Sequence, residues 1–177
     1  YTATLTTAPS PAEICEGESI TFTAAAVAGA NYEFFLNGLS QGAASGDNTF
    51  TVTPTDGQFV YVRVTKNGCS VQSNSVTITV NNLPDPSLTT PGFAGTIICE
   101  TSPPTVTAIP TAGVTHTFYV NDVLAVDGSV TSNTLDLSKV DLTGSTTVTI
   151  DVIVTSLTTG CSKRTTVGEG TSLVFTI

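Results

Sequence analysis

Four short motifs occur twice in this chain, in the same order. The two copies are offset by roughly 83 to 92 residues, which is the length of a small domain rather than of a supersecondary unit. The motifs are Leu-Thr-Thr (5–7 and 88–90), Ile-Cys-Glu (14–16 and 98–100), an aromatic segment ending in Asn (32–37 and 116–121) and Gly-Cys-Ser (68–70 and 160–162). The sequence therefore predicts two copies of one domain, at residues 1–82 and 83–177. Two prolines, Pro84 and Pro86, stiffen the junction.

Apolar and polar residues alternate with period two along most of each copy. Ile20, Phe22, Ala24 and Ala26 fall on one face of a predicted strand, and Val60, Val62 and Val64 on one face of another. Gly, Asn and Asp separate such segments at the spacing of a β-sandwich. The predicted strands of the first copy are 2–8, 19–27, 31–37, 48–54, 58–65 and 70–80, with a short strand near 39–43. No stretch of ten residues has helical periodicity, so the predicted fold is all-β.

The composition excludes two classes of partner. The net charge is −9 and the chain has only five Lys and Arg residues, whereas binding to a nucleic-acid backbone or to anionic lipid requires clustered basic residues. The apolar runs are too short to span a bilayer, so direct membrane insertion is not expected. Threonine fills roughly one position in five and suits exposed strand faces. This Thr-rich, Lys-poor composition favours an extracellular piece of a longer secreted or surface protein.

Four cysteines are candidates for disulfide bonds rather than for a metal site, because the chain has no Cys/His cluster. One pairing joins Cys15 to Cys69 and Cys99 to Cys161 within each domain. In a sandwich, however, the turns that carry Cys15 and Cys69 lie at opposite ends, roughly 23 Å apart, while bridged Cα atoms lie within about 7 Å. The alternative joins Cys15 to Cys161 across the two domains and leaves Cys69 and Cys99 for neighbouring repeats. Free thiols are the third possibility.

No catalytic constellation emerges from the sequence. The only histidine, His116, aligns with Tyr32 of the first copy, which indicates a sheet position rather than a catalytic base. Paired carboxylates can hydrolyse glycosides, but the acidic residues of the second copy are dispersed and several lie in turn contexts. These residues are Asp122, Asp127, Asp136, Asp141 and Asp151. We expect no enzyme activity and no cofactor.

Two kinds of binding site compete with a purely structural interpretation of the sequence. Acidic loops at 16–18 and 45–48 offer oxygen ligands to calcium, but neither matches an EF-hand loop or a regular acidic repeat, so a turn role is favoured. Phe59 and Tyr61 point away from the predicted core and are possible ligand-facing aromatics for a glycan. A cross-strand pair on a sheet face is the commoner reason for such residues.

The first copy resembles a known family of repeats. It combines Ile-Cys-Glu-Gly, a Ser-Ile-Thr-Phe-Thr-Ala strand, Phe-Phe-Leu-Asn-Gly, a Val-x-Val-x-Val-Thr strand and Asn-Gly-Cys-Ser. In these segments it is similar to the immunoglobulin-like or PKD-like tandem repeats of Bacteroidota surface adhesins of the gliding-associated type. The second copy departs from the pattern, with Thr101 and Asp122 at the places of Gly17 and Gly38 and a longer connection before Cys161. The resemblance implies two tandem immunoglobulin-like β-sandwiches and an extracellular stalk or adhesive role. It implies no catalytic residues.

The function predicted on this basis is mechanical. The chain is expected to be a non-enzymatic structural or adhesive repeat pair, acting as a rigid, disulfide-stabilised spacer in a large bacterial cell-surface or filamentous protein. Its expected partners are neighbouring repeats of the same chain or filament, with a surface glycan or protein as a further possibility. The alternatives are a ligand-binding module and accessory domains of a secreted hydrolase.

Overall fold

A computed structural model describes residues 1–90, 97–98, 102–125, 132–165 and 172–177. It divides the chain into two compact units, Tyr1–Asn82 and Leu83–Ile177. Almost all of the regular structure is β-strand, and no helix in the described ranges has the length and apolarity needed to cross a membrane.

The first unit contains ten strands in three groups. The strands are β1 (Leu5–Ala8), β2 (Glu13–Cys15), β3 (Ile20–Ala24), β4 (Asn31–Leu36), β5 (Leu39–Ser40), β6 (Thr49–Val52), β7 (Phe59–Lys66), β8 (Cys69–Gln72), β9 (Val76–Thr77) and β10 (Thr79–Asn81). One sheet has the order β5-β4-β7-β8, with β9 also paired to β7, and a second has the order β1-β3-β6. The short strands β10 and β2 pair in parallel.

Side chains from both larger sheets form the core of the first unit. On β7, Val60, Val62 and Val64 are fully buried, and on β3 Ile20, Phe22 and Ala24 are buried opposite them. These buried residues are the ones that the alternation in the sequence places on the inward face of each strand. The prediction for Ala26 was wrong: β3 ends at Ala24, and Ala26 lies exposed in the irregular segment that follows.

The last predicted strand of the first unit is broken rather than continuous. Residues 70–80 were predicted as one strand, but the chain forms β8, β9 and β10 in succession. The first break occurs at Ser73, whose Oγ accepts a hydrogen bond from the Val62 N–H at 3.0 Å. The Ser73 N–H donates to the Val62 carbonyl at 2.9 Å. At this point a side chain replaces a strand residue as the partner of β7. The chain then returns to β7 as β9 and pairs with β2 only as β10.

Strand β2 was not predicted, because three residues are too few to show an alternating pattern. It places Cys15 at the end of a strand instead of within the turn between β1 and β3. Hydrogen bonds from the Thr79 N–H to the Ala12 carbonyl and from the Glu16 N–H to the Asn81 carbonyl, both 2.9 Å, extend its pairing with β10.

The second unit repeats this arrangement with longer connections. Its strands are β11 (Leu88–Thr89), β12 (Thr105–Ala108), β13 (Val114–Val120), β14 (Val123–Leu124), β15 (Thr134–Asp136), β16 (Thr147–Ser156), β17 (Ser162–Arg164) and β18 (Leu173–Thr176). One sheet has the order β14-β13-β16-β17, with β18 also paired to β16, and the other has the order β11-β12-β15. A single turn of 3₁₀-helix, Leu137–Lys139, follows β15 and buries Leu137.

Asparagine side chains fix the same turn in both units. Asn37 follows β4 at a φ of 48° and Asn121 follows β13 at 49°. The Oδ1 of Asn37 accepts from the Phe59 N–H, and that of Asn121 accepts from the Thr149 N–H. Asn tolerates the left-handed conformation that such a turn requires, and its side chain ties the turn to the neighbouring strand.

Candidate functional site

The cysteines differ in chemical state. Cys15 and Cys161 are disulfide-bonded, whereas Cys69 is a free, exposed thiol at the start of β8. Cys99 lies outside the described residues. Because Cys69 is free, the alternative that joins Cys15 to Cys69 within the first unit is wrong. Cys15 is the last residue of β2, whereas Cys69 is the first residue of β8.

Two stacked aromatic rings lie on the outer face of the first unit. Phe35 on β4 lies directly opposite Tyr61 on β7, with ring centroids 4.8 Å apart and planes inclined by 7°. The Arg63 guanidinium lies 5.1 Å from the Phe35 centroid and forms a salt bridge with Glu33. Tyr61 is half-buried by this cluster. Phe59 is half-buried further along the same strand, opposite Thr77 of β9. The ring faces of Phe35 and Tyr61 therefore contact each other.

A buried carboxylate occupies the corresponding position of the second unit. Tyr119 on β13 lies opposite Asp151 on β16, just as Phe35 lies opposite Tyr61. Asp151 points away from the core but is only 5% exposed. The hydroxyls of Thr165 and Ser172 donate to its Oδ1 at 2.9 and 2.5 Å, and Arg164 donates to its Oδ2 at 3.1 Å. We call these four residues the Asp151 cluster.

Arg164 connects the Asp151 cluster to the surface. Its guanidinium also donates to Asp122 at 2.5 Å and lies 4.8 Å from the Tyr119 ring centroid. Asp122 has a φ of 63° in the turn after β13, where the first unit has Gly38 at 81°. The ion pair with Arg164 accounts for an aspartate at a position that otherwise favours glycine.

The environment of Asp151 keeps the carboxylate charged. Burial alone raises the pKa of Asp151, but hydrogen bonds from Ser172, Thr165 and Arg164, together with the Arg164 charge, outweigh it and lower the pKa below its usual value. A charged carboxylate whose two oxygens both accept hydrogen bonds suits a structural role. Sequence spacing alone does not predict that Asp122 and Asp151 lie close together. In the fold, both carboxylates bind Arg164.

The remaining carboxylates considered for catalysis or calcium binding support turns. Asp136 accepts from the N–H and hydroxyl of Ser138, and Asp141 accepts from the Thr143 N–H. In the loops weighed for calcium, Glu18 accepts from the Cys15 N–H and Asp47 from the N–H and hydroxyl of Thr49. Asp127 lies outside the described residues. Within the described ranges, no three acidic, His or Cys side chains are grouped so as to hold a metal.

His116 lies on the core face of β13, opposite Val154 of β16. It occupies the place of Tyr32, whose hydroxyl accepts from the Val27 N–H at 2.7 Å in the first unit. His116 is 4% exposed, and neither ring nitrogen has a hydrogen-bond partner among the described residues. Burial lowers the pKa of His116 below its usual value, and the nearby Ile109 backbone opposes this only in part. The imidazole is therefore a neutral core side chain.

Acid is expected to destabilise the second unit through His116. Because the folded pKa is lowered, the unfolded chain binds the proton first as the pH falls. The stability of the second unit is retained above the pKa of the unfolded state, about 6.5. It is lost as the pH falls to the pKa of the folded state, by about 1.4 kcal/mol for each pKa unit between the two states. Urea unfolding between neutral and mildly acidic pH measures this loss. His116→Phe should remove it, and an unchanged pH dependence in that variant would contradict the role.

Among known protein families, residues 3–82 match the model of a family described as an Ig-like domain, CHU_C associated. No curated protein matches the chain significantly. Solved structures that resemble the chain have low sequence identity to it and low TM-scores. Murine CEACAM1b (TM-score 0.40, 10% identity) covers 98% of both chains.

Two further structures illustrate the range of these similarities. A complex of the mouse coronavirus receptor-binding domain with its murine receptor gives a TM-score of 0.44 at 10% identity, with 99% of each chain covered. The second Ig-C2 domain of human Fc-receptor like A gives 0.39 at 19% identity, covering 45% of this chain and 96% of that one. The family match and the sheet topology together identify the chain as two tandem Ig-like domains, of which residues 3–82 are similar to the CHU_C associated type.

Proposed function

We propose that the chain is a non-enzymatic pair of structural or adhesive repeats, and that it serves as a rigid, disulfide-stabilised spacer in a large extracellular or cell-surface bacterial protein. The observation that carries this proposal is the state of the cysteines. Cys15 and Cys161 are bonded, and Cys69 is free. Disulfides persist in oxidising, extracellular compartments. The Ig-like family match supports a repeat of the kind found in Bacteroidota surface proteins.

The proposal includes a bond between Cys15 and Cys161. Cys69 is free, so it is the partner of neither bonded cysteine. Cys161 begins the segment that leads into β17, and its place in the sequence repeat is that of Cys69 at the start of β8. Since the Cys69 position does not bond to Cys15 within its own unit, the same reasoning argues against a bond from Cys161 to Cys99. A bond that joins two units restricts their relative motion and limits the entropy of the unfolded chain.

Peptide mapping of the oxidised chain without reduction tests this bond. We expect the peptide containing Cys15 to be linked to the peptide containing Cys161, and Cys69 to be alkylated without prior reduction. A Cys15→Ser variant is the matched control, since it should release a second alkylatable thiol at Cys161. A Cys15 peptide linked to a Cys69 or Cys99 peptide would overturn the proposed bond between the two units.

The expected partners are neighbouring repeats of the same kind. If Cys15 bonds to the following unit, then Cys69 is the equivalent of Cys161 and is available to a preceding unit. Its exposure at the start of β8 supports this use. Binding of a surface glycan through Phe59 and Tyr61 is less well supported, because Tyr61 already stacks on Phe35. Glycan-array binding that is lost in both Phe59→Ala and Tyr61→Ala would favour the ligand-binding alternative.

A further inference from the structure

Two Asn-Gly dipeptides occur in the chain, and both form tight turns in the first unit. Asn37-Gly38 connects β4 to β5, and Asn67-Gly68 connects β7 to β8. Their backbones are nearly identical, with φ values of 48° and 81° in the first turn and 51° and 78° in the second. Any difference in their chemistry therefore comes from their surroundings.

Asn-Gly is the dipeptide most open to spontaneous deamidation. The backbone nitrogen of the glycine attacks the side-chain carbonyl carbon of the asparagine, a carbon–nitrogen bond forms, and ammonia leaves. Water then opens the cyclic imide to aspartate or isoaspartate. Glycine favours the attack because it has no Cβ to obstruct the approach. The turn must first open, since its backbone conformation keeps the two groups apart.

The two turns differ in how firmly the asparagine is anchored. The Asn37 N–H donates to the Phe59 carbonyl at 2.9 Å, and its Oδ1 accepts from the Phe59 N–H at 3.0 Å. Both bonds must break before the Asn37 side chain can reach the Gly38 nitrogen. Asn67 is exposed, and within the described ranges its side chain makes no hydrogen bond. Local opening therefore costs less at Asn67.

From this difference we infer that Asn67 is a modification site, at which the folded protein deamidates in preference to Asn37. The product carries a new negative charge at the tip of the β7–β8 hairpin, beside Lys66 and two residues from Cys69. Isoaspartate also lengthens the backbone of the turn by one carbon. That disturbs the Lys66–Cys69 pairing that closes the hairpin.

The experiment follows deamidation of the folded, oxidised chain during incubation at mildly alkaline pH. Peptide mapping by mass spectrometry measures conversion at each asparagine, and labelling by an isoaspartate methyltransferase identifies the isoaspartate fraction. Breaking two additional hydrogen bonds should slow Asn37, so we expect Asn67 to react about tenfold faster or more. The chain unfolded in urea is the control, in which the two dipeptides should react at similar rates.

Two variants assign the acidic product. Asn67→Ser should abolish the slow appearance of a more acidic species in isoelectric focusing, while Asn37→Ser should leave it in place. Equal rates at the two sites in the folded chain would overturn the inference. So would faster reaction at Asn37, or an Asn67 that stays intact while the unfolded chain converts.

Discussion

Replacing Asp151 with alanine is expected to destabilise the second unit by about 3 kcal/mol. The substitution leaves the hydroxyls of Thr165 and Ser172 without their acceptor and removes one of the two carboxylates that hold Arg164. Loss of one partner from a buried, charged, hydrogen-bonded group costs far more than loss of an exposed ion pair. Urea denaturation followed by circular dichroism measures the difference.

Asp122→Ala is the matched control for Asp151→Ala. Both aspartates bind Arg164, but the Asp122 side chain is 84% exposed while that of Asp151 is 7% exposed. Screening by water limits exposed pairs to about 1 kcal/mol or less. Similar losses in the two variants would show that the Asp151 cluster contributes no more than a surface salt bridge.

The contribution of Asp151 to stability should also vanish in acid. It is present above the unfolded-state pKa of about 3.9 and is lost as the pH falls through the lower folded-state pKa.

Phe22→Ala is expected to destabilise the first unit by about 3–5 kcal/mol, the largest effect of any single substitution proposed for this chain. Phe22 is fully buried on β3, and its ring lies 6.4 Å from that of Phe50 on β6. Phe50 in turn stacks on Phe34 at 5.4 Å, so the cavity would form where the two sheets meet. Thermal and urea unfolding measure the loss.

The same substitution on the outer face provides the comparison. Phe35→Ala removes an identical side chain, but from the half-buried stack with Tyr61. Because no buried cavity forms, the free energy of unfolding should fall only by the contribution of one aromatic pair and of the apolar area that the ring buries, about 1–2 kcal/mol. If Phe35→Ala proved as costly as Phe22→Ala, the assignment of inner and outer faces would be wrong.

Local periodicity was sufficient to predict the faces of the long strands. Val60, Val62 and Val64 alternate without interruption, and their burial follows directly from the two-residue repeat of a strand. The same reasoning failed where a side chain replaces a strand partner. The alternation of Val76, Ile78 and Val80 lies entirely after the break at Ser73, and a hydroxyl bonded to Val62 is not visible in hydrophobic periodicity.

The Asp151 cluster was missed for a different reason. Its members lie up to 21 residues apart, and they meet only because β17 and β18 both pair with β16. One signal was present: Asp151 interrupts a run of β-branched residues, Ile150, Val152 and Ile153, where a lone charge needs a partner. The sequence repeat could also have placed it opposite Tyr119, at the position of Tyr61 in the first copy.

Strands β2 and β10 lie near the two ends of the first unit and run in the same direction. A pull applied to those ends in opposite directions would slide the two strands along each other. Their hydrogen bonds would then be loaded in shear, all at once, instead of being unzipped one by one. The small parallel pair is thus placed to act as a mechanical clamp, and Cys15 at the end of β2 puts a covalent bond directly beside it.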